Sequence, residues 1–185
     1  MKARKYKESY RLVEDGARPG QRRAEYTGSY YRYPEGSLPQ KRRALRAALW
    51  VGCYWLAALA YLKTGRATSR CLYALVPFMI GVIPGAYALM GLFTALRAPE
   101  RMTVVQRENG PGRITRAALG CGVFSSAGCV GCAVFILTNG LVITAWHELM
   151  LTAAAGIAAW LAFAKSRADY RDLAAQGQPL AKKEE

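Results

Sequence analysis

Residues 71–96 read CLYALVPFMIGVIPGAYALMGLFTAL, twenty-six in a row without a charge. As a helix this stretch is roughly 39 Å long, against a bilayer hydrocarbon core of about 30 Å. It reads as a membrane span, and three further apolar segments with charged flanks are arranged around it. Composition agrees, because 52% of the residues are hydrophobic while the mean hydropathy is only +0.03. Apolar blocks must therefore alternate with polar ones, which is the pattern of a membrane protein. The net charge is +14. Its lysines and arginines cluster at the ends of the apolar segments, so the bilayer and its anionic headgroups, and not nucleic acid, are the expected counterpart.

The predicted fold is an all-α integral membrane protein with four transmembrane helices, at 44–62, 71–96, 117–138 and 141–164. The transmembrane domain so defined covers 44–164, between a basic, Tyr-rich cytoplasmic segment (1–43) and a cytoplasmic tail (165–185). The first 43 residues are polar, and no cleavable signal peptide is expected among them. Lys and Arg number 22 on the side holding both ends and the 97–116 loop, against 3 in the 63–70 loop. That bias predicts a cell-membrane protein with both termini cytoplasmic.

Tyr6, Tyr10 and Val13 recur at helical spacing, predicting a short amphipathic basic helix over 2–15, with a solvated tail as the alternative. The following stretch YTGSYYRYPEGS carries Tyr26, Tyr30, Tyr31 and Tyr33, rings expected at headgroup level or against a partner. Lys41, Arg42, Arg43 and Arg46 form a basic collar expected to meet anionic lipid headgroups. Asn109 to Gly112 reads as a Pro/Gly turn, Asn139-Gly140 as a tight hairpin between helices, and the last helix as extending to Ala175. Arg46-Ala-Ala-Leu49 recurs as Arg116-Ala-Ala-Leu119, seventy residues on, and the same offset carries 71–96 onto 141–166. This is the register of two tandem helical hairpins.

Within the second span, Pro77 and Pro84 lie on nearly one face and interrupt the helix, while Gly81 and Gly85 add small residues beside them. They read as a hinge or broken-helix binding site, or more plainly as a kinked packing helix. The third span is rich in Gly, Ala, Ser and Cys, and Gly120, Ser125, Gly128 and Gly131 are expected to form a helix-packing face. Cys129 and Cys132 make a CxxC whose thiols share a face. They are weak candidates for a soft metal or a disulfide cycle, and small apolar filler is the alternative. Two thiols supply half of a structural zinc site, so no metal or cofactor is expected. All five cysteines fall in apolar segments and are expected to be reduced and buried.

His147 and Glu148 stand inside the fourth span, where ionisable groups are costly. They read either as a proton or cation site, or as an interfacial salt bridge in which Arg66 or Arg70 meets Glu148. No phosphate-binding glycine loop, HExxH, dinucleotide fingerprint or carboxylate pair is found, and Ser125-Ser126 has no neighbouring base in the sequence. The expected function is a non-enzymatic membrane subunit or accessory protein, packing as a homo-oligomer or with a membrane-protein partner. The alternatives are a small oligomeric transporter or channel using the kinked helix with His147 and Glu148, and a thiol- or metal-dependent membrane enzyme.

Overall fold

The structure, a computed structural model, describes residues 10–14, 22–64, 67–68, 71–140 and 143–176. In chain order these form β1 (Tyr10–Glu14), β2 (Arg22–Tyr26), β3 (Tyr30–Arg32), α1 (Gln40–Thr64), α2 (Leu72–Arg97), α3 (Val104–Asn109), α4 (Pro111–Asn139), α5 (Ile143–Asp172) and β4 (Ala174–Gln176). Four helices are long and apolar enough to cross a membrane, as expected, and they build the interior. Each of the four spans is matched by a helix. The first, third and fourth reach beyond the apolar segment into its polar flank.

The four long helices pack as a ring in the order α1, α2, α4, α5, with α5 closing back onto α1. A close seam joins α2 to α4. Pro77 has no N–H to offer the Tyr73 carbonyl one turn earlier, and the backbone of Gly131 lies against that carbonyl. A Cβ at Gly131 would sit 2.7 Å from Tyr73 O and 2.7 Å from Ala74 Cα. Farther along the seam Gly128 faces Phe78, Phe124 faces Gly81, and Gly120 faces Pro84, so large and small residues alternate across it. Gly85 is filled from α1 instead, a Cβ there falling 2.9 Å from the Tyr54 ring. At the end of α4, Gly140 takes φ +82, a left-handed conformation that suits glycine and turns the chain toward α5.

Several local expectations are corrected. Residues 10–14 form β1 rather than part of a helix, paired antiparallel with β2 in a register that sets Arg11 opposite Glu25 and Glu14 opposite Arg22. Antiparallel backbone pairing with Arg22–Tyr26 holds these residues extended and excludes a helix there; the rest of the expected helix, 2–9 and 15, lies outside the described residues. The 97–116 loop is mostly helical. Thr103 caps α3 in a reciprocal box with Gln106, and α4 begins directly at Pro111, where a missing N–H costs nothing. The last helix stops at Asp172 and does not reach Ala175. Leu173 turns inward to pack with Tyr33 and Met102, and β4 pairs antiparallel with β3. The Tyr-rich stretch thus packs on its own chain, with Tyr31 and Met102 exchanging backbone hydrogen bonds at 2.8 and 2.9 Å.

Candidate functional site

Glu148 lies in the second turn of α5, and the residue spacing that places it inside the ring also places Thr152, one turn on, beside it. Both are 0% exposed, as are Thr68 and Cys132. The carboxylate is gripped by the connection between α1 and α2. Ala67 donates its backbone N–H to Glu148 Oε1 at 2.9 Å, and Thr68 donates its N–H to Oε2 at 2.7 Å. The Thr68 hydroxyl also donates to Oε2. Two consecutive residues therefore bring three donors to one carboxylate, a charge-assisted arrangement stronger than neutral hydrogen bonding.

The hydroxyl of Thr68 links this grip to the other helices. Tyr61 of α1 shares a hydrogen bond with it at 3.2 Å, and Cys132 of α4 donates its thiol to it at 3.7 Å. Thr152 bonds back to the carbonyls of Glu148 and Leu149 at 3.0 and 2.9 Å, the usual local partner of a buried threonine in a helix. The Tyr61 ring packs on Phe78 of α2 with centroids 4.3 Å apart. Three of the four long helices thus contribute polar groups to one node at the end of the bundle remote from the strands, and the Phe78 ring of α2 packs against it.

Sequence spacing located Glu148 as the informative charge, but the structure does not bring His147 to it. The neighbouring residue points about 100° away on the helix and is exposed. The expected partners Arg66 and Arg70 lie outside the described residues. Tyr61, Thr68 and Thr152 were missed. Thr152 was detectable as the i+4 neighbour of Glu148, whereas backbone N–H donors leave no mark in a sequence.

The CxxC is split by the helix. Cys132 is buried and bonded within the node, while Cys129 is half-buried. Among the described residues no three of His, Cys, Asp and Glu come together to hold a metal. The expectation that all cysteines are buried is corrected at Cys53, which faces outward from α1, and at Cys71, which is half-buried like Cys129. The α1 stripe carrying Cys53 faces away from the other three helices.

The hinge candidates are cross-braced. Tyr54 donates its hydroxyl to Gly81 O at 2.9 Å, and the Cys121 thiol reaches the same carbonyl at 3.7 Å, in the turn that Pro84 interrupts. One turn along α4, Ser125 is 1% exposed, and its hydroxyl has no hydrogen-bond partner among the described residues.

At the strand-bearing end the collar is divided. Lys41, Arg42 and Arg46 are exposed, but Arg43 turns inward, contrary to expectation, because two acids on α5 wait there. It pairs with Asp169 and, at 3.1 Å, with Asp172, and its guanidinium lies 4.3 Å from the Tyr33 ring centroid. Burial, with Asp169 nearby, pushes the Tyr33 phenol up to about 12. Arg107 stacks on both Tyr31 and Tyr170, each at 4.4 Å.

Comparison with known proteins finds no matching family model, no matching curated protein and no matching solved structure.

Proposed function

We propose that this chain is a non-enzymatic, multi-pass subunit or accessory protein of the cell membrane, with both termini in the cytoplasm. The observation that carries the reading is the enclosure of Glu148. Glu148, the one fully buried carboxylate among the described residues, is held by backbone donors of the chain's own interhelical connection, which is how a structural anchor is built. The orientation is supported by the excess of Lys and Arg on the strand-bearing side, where Lys41, Arg42 and Arg46 face outward toward anionic headgroups.

The small residues Gly120, Gly128 and Gly131 are filled from within the bundle. A second copy or a partner helix would therefore dock elsewhere, and α1 supports that role. Leu56 and Leu59 are 71 and 55% exposed on it, and Gly52, one turn before Leu56, has open space. Crosslinking through Cys53 in native membranes tests this. A discrete crosslinked dimer or a stoichiometric partner supports the subunit reading, and a monomer under all conditions removes it.

A transporter is the second reading, favoured by the Ser125 hydroxyl, which lies deep in the bundle and has no hydrogen-bond partner among the described residues. Proton or cation flux into vesicles that is lost in Glu148→Gln at unchanged abundance would move the assignment there.

A further inference from the structure

Two grooves of nearly equal size flank the bundle. One, of about 700 Å³, follows the α2–α4 seam over Ile80, Ile83 and Tyr87, and ends at Arg113 and Arg116. The other, of about 690 Å³, follows the α1–α5 seam over Leu45, Leu49 and Trp50, and ends at Arg42, Arg46 and Lys165. The ring order puts these seams on opposite flanks, and both cationic ends lie at the strand-bearing end of the bundle.

The seventy-residue offset relates them. It carries Arg46 onto Arg116 and Ala47 onto Ala117, and each member of both pairs lines its own groove. The short sequence repeat therefore marks equivalent places in two similar clefts. Arg113 is steadied by Asn109 Oδ1 at 3.2 Å, and Arg116 by the carbonyls of Gly112 and Glu108 at 3.1 and 3.3 Å. Both guanidinium groups are thus positioned at the groove instead of swinging free. Each groove also includes one acid, Glu108 or Asp169, and Asp169 is engaged by Arg43. Cations outnumber acids in both.

We propose that each groove holds one anionic phospholipid, its acyl chain along the apolar floor and its phosphate against the arginines. A bare phosphate would leave the apolar floor unused, and a zwitterionic headgroup would bring its own cation to an already cationic end. This inference rests on the membrane reading above.

The test uses the full chain in phosphatidylcholine vesicles doped with phosphatidylglycerol, released into mild detergent and weighed by native mass spectrometry. The expected result is two retained phosphatidylglycerols per chain. The pair Arg113→Gln with Arg116→Gln should remove one, Arg42→Gln with Arg46→Gln the other. Ile83→Trp, which fills the α2–α4 groove without touching a charge, should remove the first lipid in a protein whose circular dichroism melt is unchanged. Equal retention of phosphatidylcholine, or a count insensitive to all three variants, overturns the proposal. Failure of the chain to float with vesicles overturns the membrane reading and this inference together, whereas flotation without retained lipid overturns this inference alone.

Discussion

The Thr68 backbone N–H meets Glu148 Oε2 at 2.7 Å across eighty residues of sequence. Glu148→Gln replaces one accepting oxygen with a donor that faces an N–H, and a charge-assisted bond of about 2 kcal/mol is lost. The expected outcome is a clear drop in melting temperature in detergent. His147→Gln, on the exposed side of the same helix, should leave the melt unchanged. Equal melts for both variants would show that the loop does not depend on the carboxylate.

The α2–α4 seam predicts a graded response to alanine. Gly131→Ala drives a methyl group into the Tyr73 carbonyl and the Ala74 backbone, and overpacking of this kind costs about 2 kcal/mol. Gly128→Ala meets Phe78 Cβ at 3.4 Å and should be milder, and Gly52→Ala meets nothing within 4 Å and should be neutral. Thermal unfolding of the three variants side by side checks the order; a Gly52 variant as damaged as the Gly131 variant would refute the packing described.

Tyr33 gives a pH dependence with a definite sign. Its folded pKa is raised from 10.0 to about 12, so the neutral phenol is the form the fold favours. The stability it contributes is fully present below pH 10 and is lost as pH rises toward about 12. Tyr33→Phe should flatten that alkaline loss while changing little at neutral pH. An alkaline profile identical to that of the parent would assign the loss to another group.

Thiol labelling separates the cysteines. Cys53 is exposed, while Cys121 and Cys132 are buried. A small maleimide should modify Cys53 in the folded detergent-solubilised protein, and should reach Cys121 and Cys132 only after unfolding. Labelling of Cys132 in the native protein would mean that the polar node opens.

Long-range organisation was legible where the chemistry is one-dimensional. Unbroken apolar runs such as 71–96 announce a helix whatever surrounds them, and a charge inside such a run, as at Glu148, announces a buried polar contact. The backbone donors that grip that charge were not legible, because a sequence does not display the direction in which a backbone N–H points. Arg43 is the converse case. It sits among three other cations of the same collar, and only the ring closure that brings Asp169 and Asp172 beside it sets it apart. The β3–β4 pair was illegible for a similar reason, since β3 finds its partner β4 at the far end of the chain.

That last pairing bears on how the protein is made. The first long helix packs against the last, and the strand ahead of the first pairs with the strand behind the last. A ribosome delivers these pieces at opposite ends of its work. Until α5 has emerged, Arg43 has no acid to meet and α1 lacks its principal neighbour. The nascent chain should therefore wait with its first helix incompletely packed, open to an insertase or chaperone, and a truncation before α5 should leave it there for the cell's proteases to find.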